Sequence, residues 1–165
     1  MTTFDENWDD AYLADDDEPG DPFDLDAGRA QQPGTVLDTD ADVHEHLLAM
    51  VGPDRDGPRA VWVQLLDGAD RTLPIVIPVT DLPTVVDDLV VTNLARVLHA
   101  MVDANAPGGS VAVALVRRAG GDRGTFEVGW SRALRRELAA VGLPVRAIVA
   151  IGRDRSRVLP PAGTS

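Results

Sequence analysis

The sequence predicts an α/β protein whose mixed β-sheet is flanked by helices, in the order β-β-α-β-α-β-(β). Three observations carry this. Two β-branched runs, residues 60–66 and 72–79, are joined by the turn Asp67-Gly68-Ala69-Asp70 and read as a hairpin. Residues 111–116 (VAVALV) are apolar without alternation, as in a central strand covered on both faces. Helical periodicity stands on either side of that run.

In chain order, a short helix starts near Asp42, which can cap it, with Glu45 answering three residues on. Val43, Leu47 and Met50 share one face, and Gly52-Pro53 ends the helix. Residues 52–58 read as a linker. In the strand 72–79, Pro74 and Pro78 have no N–H to give a ladder, so that strand should lie at an edge or stop early. A helix over 90–104 buries Leu94, Val97, Leu98, Met101 and Val102, and Pro107-Gly108-Gly109 stops it. After the central strand, residues 119–124 (AGGDRG) form a loop. A helix over 127–141 turns Trp130, Leu134, Leu138 and Val141 inward and Arg132, Arg135 and Arg136 outward. Gly142-Leu143-Pro144 leads to a strand over 145–151 and a last short one over 156–159.

The expected organisation is a disordered acidic tail over 1–40, a short helix and linker over 41–58, an α/β domain over 59–160 and a flexible C-terminus over 161–165. With 165 residues and 44% hydrophobic content the chain can build one core. Aromatics are only 4%, so that core is aliphatic. There is no cysteine, which excludes disulfides, thiolate zinc sites and thiol nucleophiles. The start of the chain is acidic, with Asp5, Glu6, Asp9, Asp10 and Asp15, and does not read as a signal peptide. No run approaches the ~20 apolar residues of a membrane span. The expectation is a cytoplasmic protein without membrane contact. Every basic residue is Arg, and Ala, Val, Gly and Asp are abundant, a codon bias that suggests a bacterial source of high GC content.

Charge is unevenly spread. Residues 1–42 hold 14 acidic side chains against Arg29, whereas residues 117–157 hold ten Arg against Asp122, Glu127, Glu137 and Asp154. The acidic tail also carries spaced aromatics, among them Trp8, Tyr12 and Phe23, a composition suited to docking on a basic or apolar surface.

Several landmarks follow one another at fixed spacing: the hairpin, Asn105-Ala106 before the central strand, Glu127 at the start of the next helix, Leu134, Gly142-Leu143-Pro144 and Ile151-Gly152. Over residues 59–159 this pattern resembles the JAB/MPN metalloprotease-like fold, closest to the RadC-type bacterial domain. That family ends its central strand in His-x-His and follows it with Ser-x-x-Asp, the two His and the Asp holding zinc. The resemblance therefore implies a former metal site at Arg117, Ala119, Gly124 and Glu127. Arg117 and Ala119 stand where the two His would be, Gly124 where the Ser would be, and Glu127 where the Asp would be. A guanidinium and a methyl group have no lone pair for a metal. The expectation is a lost zinc site with no cofactor and no hydrolysis, its place taken by an Arg117–Glu127 ion pair with Arg118 as substitute.

Other candidates read as structural. His44 and His46, two apart on a helix, point to different sides. His99 lies near Asp103 on a solvated face. Asp87 and Asp88 precede a helix and suit its dipole. The Gly-rich loop with Arg117, Arg118 and Arg123 lacks a phosphate-loop consensus. Arg118, Arg123, Arg132, Arg135 and Arg136 form a candidate anion or partner surface.

Taken together these readings predict a non-catalytic interaction or regulatory protein, its acidic tail docking on the basic surface and its partner an unidentified protein. A homodimer is left open. A nucleic-acid-associated factor using the Arg-rich half is the alternative, and a metal-free enzyme of unspecified reaction the third.

Overall fold

The structure, a computed structural model, describes residues 34–161. Five strands form one mixed sheet: β1 (Ala60–Leu66), β2 (Thr72–Thr80), β3 (Ser110–Val116), β4 (Val145–Ile151) and β5 (Ser156–Leu159). Their spatial order is β2-β1-β3-β4-β5, antiparallel except for the β3–β4 pair. Three α-helices flank it: α1 (Asp40–Val51), α2 (Asp88–Asn105) and α3 (Thr125–Ala140).

The hairpin closes on Asp67, whose Oδ1 accepts from the backbone N–H of Ala69 at 2.8 Å and of Arg71 at 2.9 Å. β2 lies at the sheet edge, as its prolines require. The Thr72 N–H donates to Thr35 O at 2.9 Å, so the even-numbered peptide groups of β2 point away from β1. Pro74 and Pro78 therefore delete two donors from the outer edge, which blunts it against strand addition.

α2 and α3 pack on one face, where Val91, Leu94, Leu98, Trp130, Leu134 and Leu138 meet Val61, Val63, Val113, Leu115 and Ile148. Asp87 caps α2, its Oδ1 accepting from Leu89 N at 3.0 Å. α3 starts at Thr125, two residues earlier than its periodicity suggests, which puts Phe126 into the core beside Trp130 with ring centroids 6.1 Å apart. Each such burial stabilises the fold by roughly 1.5–3 kcal/mol. The Trp130 indole N–H keeps a partner, Pro83 O at 3.1 Å.

α1 covers the other face. Its Val43, Leu47, Met50 and Val51 lie on Ala112, Ala114, Val116, Ala147, Val149 and Ile151, where the small alanines let the helix approach. The packed unit thus includes α1 and is not confined to residues 59–160. The cap differs from the one expected. Thr39 is the N-cap and Asp42 the answering residue: Asp42 N donates to Thr39 Oγ1 and Thr39 N to Asp42 Oδ2, each at 3.1 Å. Thr39 has the extended backbone a cap needs, whereas Asp42 already lies in the first turn.

Residues 34–39, expected within the tail, are ordered. Val36 bridges Arg71, and Leu37 is fully buried. Residues 1–33, with Trp8, Tyr12 and Phe23, and residues 162–165 lie outside the described residues.

Candidate functional site

The parallel strands β3 and β4 end on the same side of the sheet. Their last residues feed two turns, 117–124 and 152–155, that lie against one another. Arg117 N donates to Ile151 O at 3.1 Å, Arg153 N to Arg118 O at 2.9 Å and Arg155 Nε to Gly120 O at 2.9 Å. Crevices beyond the carboxyl ends of parallel strands are the usual ligand position in α/β sheets.

Arg117 and Glu127 meet there. The Arg117 Nε donates to Glu127 Oε2 and its Nη2 to Glu127 Oε1, each at 3.0 Å, a two-pronged pair across ten residues of chain. Glu127 is completely buried and the Arg117 side chain is 25% exposed. The hydrogen bond that Arg117 donates to Glu127 raises the Arg117 pKa above its ordinary value against the opposing effect of burial. Glu127 also sits in the first turn of α3, where the helix dipole favours an anion.

Asp122 extends the pair into a network. Its Oδ1 accepts from Arg117 Nη2 at 3.3 Å and from Gly124 N at 3.1 Å, and its Oδ2 accepts from Arg155 Nη2 at 2.7 Å. The Gly124 contact is an Asx turn that leads the chain into α3, which has no side-chain cap of its own.

Two glycines make room for the ion pair. A Cβ on Gly124 would stand 2.7 Å from Arg117 Nη2 and 2.8 Å from Glu127 Oε1. A Cβ on Gly120 would run into Glu127 Oε2 and lie 2.9 Å from Arg117 O.

Of the four positions at the former metal site that the resemblance implies, the structure joins Arg117 and Glu127 and lines them with Gly124. The exposed Ala119 contributes only its carbonyl, which accepts from Arg155 Nη2 at 3.4 Å. These residues do not fit a zinc ion. Both oxygens of the one carboxylate already accept from a fixed cation, and neither Ala119 nor Gly124 has a donor atom. Among the described residues, no group of three or more His, Asp or Glu is placed to hold a metal.

Arg118 does not substitute for Arg117. Its Nε lies 2.9 Å from Asp56 Oδ1, on the 3-10 turn Gly52–Asp56, because the chain has already turned at Arg118, beyond the end of β3. Arg118, Ala119, Gly120, Asp154 and Arg155 line an open cleft of about 330 Å³. Arg123 and Arg132 are exposed.

Arg135 departs from an outward basic face, whereas Arg136 is outward but paired. Arg135 is half-buried, its stem laid along the core edge and its Nη2 donating to Leu159 O at 3.1 Å. Burial lowers its pKa, with Asp40 acting in the opposite direction. Arg136 pairs with Glu137 at 3.0 Å and Asp88 at 3.4 Å. The sheet's twist brings Arg146 to Asp40 at 3.0 Å. Much of the Arg-rich half is thus neutralised from within.

His44 and His46 part company, as their spacing requires. His44 Nε2 meets Ser156 Oγ at 2.7 Å and His46 Nε2 meets Gln64 Oε1 at 2.9 Å. Gln64, Asp122 and Gly120 were not visible as site residues in the sequence, and Arg155 was visible only as one cation of the Arg-rich half. Asp122, two residues before a glycine that opens a helix, is the one with a local signal.

Comparison with known proteins finds no family model, no curated protein and no solved structure that matches the chain. Fold and site define an α/β protein with a five-stranded mixed sheet flanked by three helices. No helix among the described residues is long and apolar enough to cross a membrane.

Proposed function

We propose that the chain is a non-catalytic interaction domain built on a RadC/JAB-like α/β frame, with the 117–124 and 152–155 turns as its recognition end. The path hairpin, helix, strand, helix, strand supports the likeness. One observation carries the loss of hydrolysis: Arg117 occupies both oxygens of Glu127 where a dication would have to bind. An ion pair in that place braces a loop and activates no water. Arg118, Arg123 and Arg153 are exposed around this braced loop, and because Arg118 and Arg153 share the one carboxylate of Asp56 the three keep a net positive charge for a local anionic protein surface.

Nucleic acid fits less well. Within 117–157, Arg117, Arg118, Arg136, Arg146, Arg153 and Arg155 are in ion pairs, which lowers the charge available to phosphates.

Affinity capture with the full chain and with an Arg118→Ser/Arg123→Ser/Arg153→Ser variant tests the reading, alongside calorimetric titration with zinc. A partner lost with the triple variant and no zinc uptake at Glu127 are expected. Stoichiometric zinc bound through Glu127, or peptide hydrolysis abolished by Glu127→Gln, would overturn it.

A further inference from the structure

Among the described residues, no helix lies over the β1–β2 half of one sheet face. α1 packs mainly on β3, β4 and β5, and meets β1 at its ends through Ala60 and Leu66 and at Gln64 through His46. Trp62 lies on the α1 side of the sheet, paired across the ladder with Pro78, and Val76 pairs with Gln64 on the same side. Trp62 is only partly buried, Val76 is 38% exposed, and Pro74 and Pro78 are exposed. An aromatic, a valine and two prolines therefore form a continuous apolar surface where the rest of the sheet is covered.

The chain itself supplies an occupant. Gly34 N donates to Thr72 O at 2.7 Å, so the residues before Gly34 start at the outer edge of β2. The Val36–Arg71 bridge is antiparallel, so Val36 to Gly34 run back alongside the start of β2, in the direction of Pro78. Pro78 lies six residues beyond Thr72, roughly 20 Å at ~3.3 Å per residue. Phe23 lies eleven residues before Gly34, a reach of up to ~36 Å, and Tyr12 and Trp8 have more. Pro74 and Pro78 deny this segment a ladder, so side chains and not a sixth strand must seat it. Its eleven acids against Arg29 hinder it from forming a core of its own.

We infer that the N-terminal segment seats its aromatic side chains, Phe23 foremost, on the open β1–β2 face of Trp62, Val76 and Pro78 within the same molecule. This moves the seat of the tail away from the Arg surface, whose charges are largely paired internally. It makes the segment a removable cover over an apolar surface, and it holds whether or not the recognition end described above is correct.

The chain has no cysteine, so Ala14→Cys gives a single attachment point for a nitroxide on the full-length protein. Paramagnetic broadening is then read by NMR across the fold. Broadening centred on Trp62, Val76 and Thr80 is expected, nearly unchanged at high salt because the contact is apolar. Phe23→Ser in the same chain is expected to reduce it roughly tenfold, the scale of losing one buried aromatic. An unchanged urea unfolding midpoint of the Phe23→Ser protein is the control for its folding. Broadening centred on Arg132 and Arg157, abolition by salt, uniform weak broadening, or an effect seen only between labelled and unlabelled copies would each overturn the inference.

Discussion

Arg117 holds both carboxylate oxygens of Glu127 at 3.0 Å, and the carboxylate is sealed while the guanidinium keeps one side to solvent. The two partners are therefore unequal. Removing the cation strands a buried anion, whereas removing the anion leaves a cation that water still reaches. Arg117→Ala is expected to cost about 3–5 kcal/mol of stability, and Glu127→Leu less. The double variant Arg117→Met/Glu127→Leu removes both charges and is expected to return most of the loss. Urea unfolding midpoints of the three proteins check the order.

Gly124→Ala tests whether the ion pair needs a backbone without a side chain. The added methyl would stand inside contact distance of Arg117 Nη2 and Glu127 Oε1. Either the pair opens or the loop shifts, at a cost of about 1–3 kcal/mol. A shifted Arg117 Nε–H resonance together with the lower unfolding midpoint is the expected signature. An unchanged resonance would mean that the loop moves and the pair does not.

Much of the frame was readable from local signals. Short valine runs, the Asp67 turn and the helical stripes are properties of neighbouring residues, and Pro74 and Pro78 alone put β2 at an edge. The Arg117–Glu127 pair was reached only through the resemblance, which implies that a strand end and a helix start meet there. What escaped depends on distant partners. Ala112, Ala114 and Ala147 read as ordinary strand residues and not as the seat of α1. Arg135 reads as outward until β5 brings Leu159 O beneath it. The Asp122–Arg155 pair spans 33 residues, and no periodicity reports it.

Gln64 links three elements from inside the fold. Its Nε2 donates to Leu73 O at 2.7 Å and its Oε1 accepts from His46 Nε2 at 2.9 Å. The β1–β2 register shifts between Gln64 and Leu66, beside this side chain. Gln64→Leu keeps the bulk but leaves the buried His46 without that partner, at an expected cost of about 1–3 kcal/mol. Adding His46→Leu removes the stranded ring nitrogen, so the double variant is expected to be more stable than the sum of the single losses. Thermal unfolding of the set forms a double-mutant cycle.

Asp67 gives the fold one predictable response to acid. Its carboxylate accepts from the N–H of Arg71 and of Ala69, and the Arg71 bond contributes most to lowering its pKa below 3.8. Those bonds favour the charged form and exist only in the folded hairpin. The folded-state pKa thus lies below the unfolded one, and the unfolded chain binds the proton more readily. The contribution of Asp67 is complete above its unfolded pKa and is lost as pH falls through the lower, folded value. An NMR titration of the Asp67 carboxyl is expected to show a midpoint below 3.8. In Asp67→Ala the loss of stability is expected to be visible at neutral pH and to vanish in acid. A difference that persists unchanged into acid would place its origin in turn geometry and not in the charge.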